Sequence, residues 1–139
     1  MATPCNDQPY KPIIDNLRSI GIATVIASGN SGIPFAISSP ACISSAVSVG
    51  STNKDDTVSA FSNVASFLSL FAPGDSITSS VTGGTYASES GTSMATPHVA
   101  GAWAVLHQAA PTASSIQLRG QRLDHPDLDV HDAQYAGHV

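Results

Sequence analysis

The chain has 139 residues, 42% of them hydrophobic and 11% charged, with a formal net charge of -5. That length gives a prior of one domain and suffices for a sizeable core. Five Lys and Arg residues are too few for the basic footprint of a nucleic-acid binder, and no apolar run approaches the roughly 18 residues of a membrane span. The opening Met1-Ala2-Thr3-Pro4-Cys5 has neither a charged n-region nor an apolar h-region, so no signal peptide is expected in this chain. The two cysteines, Cys5 and Cys42, fit one disulfide and an oxidising compartment, or else two buried thiols.

In chain order, Lys11 to Ile20 reads as a helix. Ile13, Ile14, Leu17 and Ile20 recur at helical spacing, Asp15, Asn16 and Arg18 face outward, and Gly21 supplies the stop. Ile22 to Ala27 is a continuous apolar, β-branched run, the pattern of a parallel strand covered on both faces. A loop, Ser28-Gly29-Asn30-Ser31-Gly32, follows it. Ala46 to Gly50 is a second buried strand, and Phe67 to Phe71 a third, closed by Ala72-Pro73-Gly74. Ile77 to Val81 adds a strand with Gly83-Gly84 as a hairpin turn. Ser93 to Ala110 is helical, with small residues Ala95, Ala100, Gly101 and Ala102 suited to close packing, and Pro111 marks its end. Alternating helix and apolar strand gives the α/β class. Composition shifts near Leu118, which divides the chain into 1–118 and an acidic, His- and Asp-rich tail, 119–139.

Ser93 follows a glycine at a helix start, where its hydroxyl is exposed and free backbone N–H groups converge on whatever binds there. By itself that is the position of an ordinary helix-capping serine. The whole run Gly91-Thr92-Ser93-Met94-Ala95-Thr96-Pro97-His98-Val99-Ala100-Gly101, however, resembles the nucleophile segment of the subtilisin-like serine peptidases. The strand and loop Val25-Ile26-Ala27-Ser28-Gly29-Asn30, the segment Ser38-Ser39-Pro40-Ala41 and the pair Phe61-Ser62-Asn63 and Leu70-Phe71-Ala72-Pro73-Gly74 extend the resemblance from about Tyr10 to Pro111.

The resemblance implies a partial doubly wound, mainly parallel sheet flanked by helices, corresponding to the C-terminal half of that family's catalytic domain. It implies acyl transfer through Ser93, with Asn30 as oxyanion donor beside the Ser93 N–H, and Ala27, Ser28, Gly29 and Thr92 around the substrate. The proline of Ser38 to Ala41 is often cis in the family. A Cys5–Cys42 disulfide and an extracellular ancestry fit secreted members. No cofactor is expected beyond a weak calcium site from carbonyls near Ala41 to Ala46. Expected substrates are small esters or short peptides. An apolar edge beside Ile22 to Ala27 would be left unpaired, a route to homo-oligomers.

The family's Asp-Ser/Thr-Gly, His-Gly-Thr and Ser-x-Gly-Gly segments do not precede Tyr10 in this sequence, so the base is not inherited. His98 is structural in the family, and His107 reads as a surface residue. The tail contains Leu123-Asp124-His125-Pro126-Asp127-Leu128, similar to the sequence after the family's catalytic Asp strand. Two readings stand. The tail is an acidic extension outside the fold, with the chain an inactive or half-site fragment. Alternatively it folds back and supplies a relay, with His125 and Asp127 as the leading pair. Its histidine spacing matches no standard zinc pattern.

Overall fold

The computed structural model describes residues 3–111. Helix α1 spans Lys11–Ser19, β1 Val25–Ala27, β2 Val47–Thr52, β3 Leu70–Pro73, β4 Ile77–Val81, β5 Thr85–Glu89 and α2 Thr92–Ala109. Strands β1, β2 and β3 form a parallel sheet in that order, with Val25 opposite Val47 and Val49 opposite Leu70. β4 and β5 form a separate antiparallel hairpin from Ile77–Glu89 to Val81–Thr85. This is the α/β architecture, with a mainly parallel sheet, that the sequence implies.

Side-chain alternation assigns the two faces of the sheet. Val25, Val47, Val49, Leu70 and Ala72 pack on Ala95, Val99 and Trp103 of α2. Ile26 points to the opposite face and meets Ile37, Ala41, Cys42 and Ala65. On that same side, Ile14 of α1 packs with Ile43 and Ala46. Cys5 and Cys42 are joined in a disulfide, their Cα atoms 5.2 Å apart, and the Ser39–Pro40 peptide bond is cis. Among the described residues no helix is long and apolar enough to cross a membrane.

Several local expectations are corrected. The strand predicted over Ile22 to Ala27 is confined to Val25–Ala27 and only half-buried, because β1 is the sheet's edge and pairs on one side. The third strand begins at Leu70, not Phe67; Phe67 and Leu68 instead fill the cluster under Ile37. In α1 the predicted apolar stripe buries Ile14 alone, leaving Ile13 and Ile20 exposed. In α2 the face on the sheet is Ala95, Val99 and Trp103, whereas Ala100, Gly101 and Ala102 are exposed.

Candidate active site

The carboxyl ends of parallel strands are where α/β folds assemble sites. Here the loop leaving β1 and the start of α2 meet at that end. Gly91 N–H donates to the Gly74 carbonyl just beyond β3, at 2.8 Å, which seats the helix start on the sheet. Ser90 braces the approach: its hydroxyl donates to Asp75 at 2.8 Å and accepts the Ser76 N–H at 2.9 Å.

Thr92 joins the loop to the helix. It is 1% exposed. Its N–H donates to Asn30 Oδ1 at 2.9 Å and its hydroxyl to the same oxygen at 2.7 Å. The Gly29 N–H in turn donates to Thr92 Oγ1 at 3.2 Å. Both contacts to the Asn30 side chain use its oxygen, so the amide is oriented with its Nδ2 donors over Gly91. A β-carbon at Gly91 would stand 3.1 Å from Asn30 Nδ2 and 3.7 Å from the Ser93 nitrogen. The two donors therefore flank one space, kept empty by glycine.

The first turn of α2 leaves one amide for that space. Thr92 N–H is held by Asn30, and those of Met94 and Ala95 by the Gly91 carbonyl at 2.9 and 3.4 Å. The Ser93 N–H lies between them, at the positive end of an 18-residue helix. Ser93 and Asn30 are both solvent-exposed. The arrangement offers a hydroxyl and two converging donors to a developing oxyanion.

Ser28 and Thr92, expected around the substrate, are buried and hydrogen-bonded within the loop's framework. Ser28 is buried, and its hydroxyl donates to the Asn63 carbonyl at 2.8 Å. Ala27 and Gly29 are half-buried at the strand end. Asn63, read from sequence as part of a turn, is the polar residue that sequence reasoning missed. Its partners lie some 30 residues upstream, Ser31 and Ile33, and no local pattern announces such a contact.

Among the described residues, no histidine nitrogen bonds the Ser93 hydroxyl. His98 turns its Nδ1 onto the Met94 carbonyl at 2.8 Å, one turn back along its own helix, which is a structural contact. His107 lies near the far end of α2, beside Ile20 and Trp103. His125 and Asp127 lie outside the described residues. The carboxyls held below their ordinary range belong elsewhere: Asp15 on α1, by a hydrogen bond from Lys11, and Asp55 after β2, by one from Thr57.

The stretch Ala41 to Ala46 is where the weak calcium site was expected. It holds no carboxylate, and its Cys42 and Ile43 carbonyls already accept the N–H groups of Cys5 and Ala46. Among the described residues no group of three or more His, Cys, Asp or Glu side chains could hold a metal.

A family profile described as "Subtilase family" matches residues 3–125. The chain is 40% identical to Subtilisin Savinase of Lederbergia lenta over 119 residues, which is 86% of this chain and 44% of that protein. It is 41% identical to Subtilisin NAT of Bacillus subtilis subsp. natto over 137 residues, 96% of this chain and 36% of the relative. Among solved structures, a cold adapted subtilisin-like serine proteinase superposes with a TM-score of 0.74 at 42% identity, over 79% of this chain and 40% of that one. The chain thus spans less than half the length of these relatives. With a family match across most of its length and a shared fold at this identity, the chain belongs to the subtilase family.

Proposed function

We propose that this chain is a serine hydrolase that transfers acyl groups through Ser93, acting on small esters or short peptides in preference to proteins. The observation that carries the reading is the orientation of Asn30. Thr92 fixes its oxygen, and its donors face the space shared with the Ser93 N–H. In the reaction the Ser93 Oγ attacks the substrate carbonyl carbon while a base takes its proton. The carbonyl oxygen gains charge and receives hydrogen bonds from Asn30 and the Ser93 N–H. Collapse expels the leaving group, and water then releases the acyl group from Ser93.

In this proposal the proton passes to a base in the tail, with His125 and Asp127 as the candidate pair. Activated esters suit an exposed site of this kind because their leaving groups need no protonation. The disulfide supports an extracellular or otherwise oxidising location. The test is fluorophosphonate labelling of the chain, of Ser93→Ala and of a chain ending at Ala113. Labelling lost in the first variant and reduced in the second is the expected result. Labelling unchanged by truncation would remove the tail from the mechanism, and casein hydrolysis as fast as that of a p-nitrophenyl ester would refute the substrate preference.

A second reading, a half-site that needs further subtilase segments, is favoured by one observation. A groove of about 590 Å³ runs between Ile20–Val25 and the Ala100–Gln108 stretch of α2, open on its apolar lining. Under this reading the isolated chain takes up no fluorophosphonate.

A further inference from the structure

We propose that Asn63 is the positioning residue of the oxyanion loop: its buried side chain sets the backbone from Ser28 to Ile33 so that the Asn30 amide stands over Gly91. The proposal rests on the reading of Asn30 as an oxyanion donor given above.

Asn63 is 1% exposed, a burial that a carboxamide tolerates only when its polar atoms are bonded. Its oxygen accepts the N–H groups of Ser31 at 2.9 Å and Ile33 at 3.1 Å. Its Nδ2 donates to Ser38 Oγ at 3.1 Å. Its backbone N–H donates to the Gly29 carbonyl at 2.9 Å, and its carbonyl accepts the Ser28 hydroxyl at 2.8 Å. One residue therefore grips the chain on both sides of Asn30, at Gly29 and at Ser31.

The sheet does not supply this shape, because β1 ends at Ala27. Two amides separated by one residue reach a single oxygen only when the chain curls around it, so the Asn63 oxygen acts as the template for the curl. Gly29 shows how closely the loop is wrapped. Its φ is 108°, and a β-carbon there would collide with Asn63 Nδ2 and Ser38 Oγ. Neighbouring bonds, Gly32 N–H to Phe61 carbonyl at 2.7 Å and Val64 N–H to Ile33 carbonyl at 2.8 Å, lay the two segments side by side. They leave the Ser31 and Ile33 amides to the Asn63 side chain, while Gly29 is held by the Asn63 backbone and by Thr92. The position needs an acceptor for two amides and a donor for Ser38 on one short, flat group. Serine is too short to reach them, and Asp provides the acceptor without the donor.

Amide hydrogen exchange tests the assignment, paired with fluorophosphonate labelling of Ser93. In the wild-type protein the Ser31 and Ile33 amides should be protected although they lie in no helix or strand. Rapid exchange there in the folded protein would overturn the proposal with no variant needed. Asn63→Ala should accelerate exchange at those two amides roughly ten- to hundred-fold, leave Val47–Thr52 protected and slow labelling. Asn63→Asp, which keeps the oxygen acceptor, should restore protection and recover labelling relative to the alanine variant. Loss of protection in Asn63→Ala spread equally over β2 would make Asn63 a general packing residue and refute the positioning role. A wild-type protein that does not label would sink the catalytic reading alone, since the exchange pattern still decides what Asn63 does to the loop.

Discussion

Gly91 carries no side chain, and the space it leaves is the one that the Asn30 amide and the Ser93 N–H share. Its φ of 162° is extended backbone open to any residue, so alanine there meets no conformational barrier. The added methyl group would instead stand 3.1 Å from Asn30 Nδ2, in the space that the proposed reaction gives to its oxyanion. We expect Gly91→Ala to slow Ser93 labelling by about 10²–10³, the loss known for removing an oxyanion donor in the subtilisin system itself. Its unfolding free energy should stay within about 1 kcal/mol of wild type. Wild-type labelling in this variant would show that the space is not used. The family membership is legible in the sequence because the run Gly91 to Gly101 is a dense local pattern. Asn63 is not, because its meaning lies in N–H groups donated by a loop far upstream.

Of the two helices, α1 is the more weakly seated. It buries Ile14 and reaches the loop before β2 through a long Arg18–Ser44 carbonyl contact of 3.4 Å. The Cys5–Cys42 disulfide, closing a separation of 37 residues, ties the segment ahead of α1 to the loop that carries Ile43. Replacing both cysteines by serine should lower the unfolding free energy by about 2–4 kcal/mol, read by urea denaturation. Amides of α1 should exchange before those of β2. Equal midpoints for the oxidised and the doubly substituted protein would refute this. The same weak seating explains why the helix was easier to read from sequence than its burial. Ile13, Ile14, Leu17 and Ile20 give the period of a helix, but the period cannot say how much of the stripe finds a partner. Strand β2 is legible in its apolar part but runs on to Thr52, past the expected end at Gly50, because Ser51 and Thr52 are polar yet buried. β1 was over-extended because an apolar run looks the same at an edge as in the middle of a sheet. The Gly83-Gly84 hairpin was read correctly because turn chemistry is local.

At the scale of the whole molecule, apolar residues between α1 and β1 and on the outer side of α2 face solvent. Ile20 is 66% exposed, Ile22 51% and Val105 65%, and Ala100 and Ala104 line the groove between them. A helix that is apolar all round belongs in the middle of a protein, and an open parallel edge is a template for further pairing. Trp103 states the same need in polar terms: its Nε1 is buried without a hydrogen-bond partner. The free edge and the groove adjoin, so one partner can cover both. For this chain alone in solution we expect that partner to be a second copy, giving concentration-dependent association by sedimentation. Ile22→Lys places a charge beside the strand edge, a residue type that natural sheets use to blunt such edges. It should shift the protein toward monomer while leaving exchange protection of Val47–Thr52 unchanged. A wild-type chain that stays monomeric at high micromolar concentration would refute self-association through this face. An Ile22→Lys protein that associates as strongly as wild type would locate the contact elsewhere.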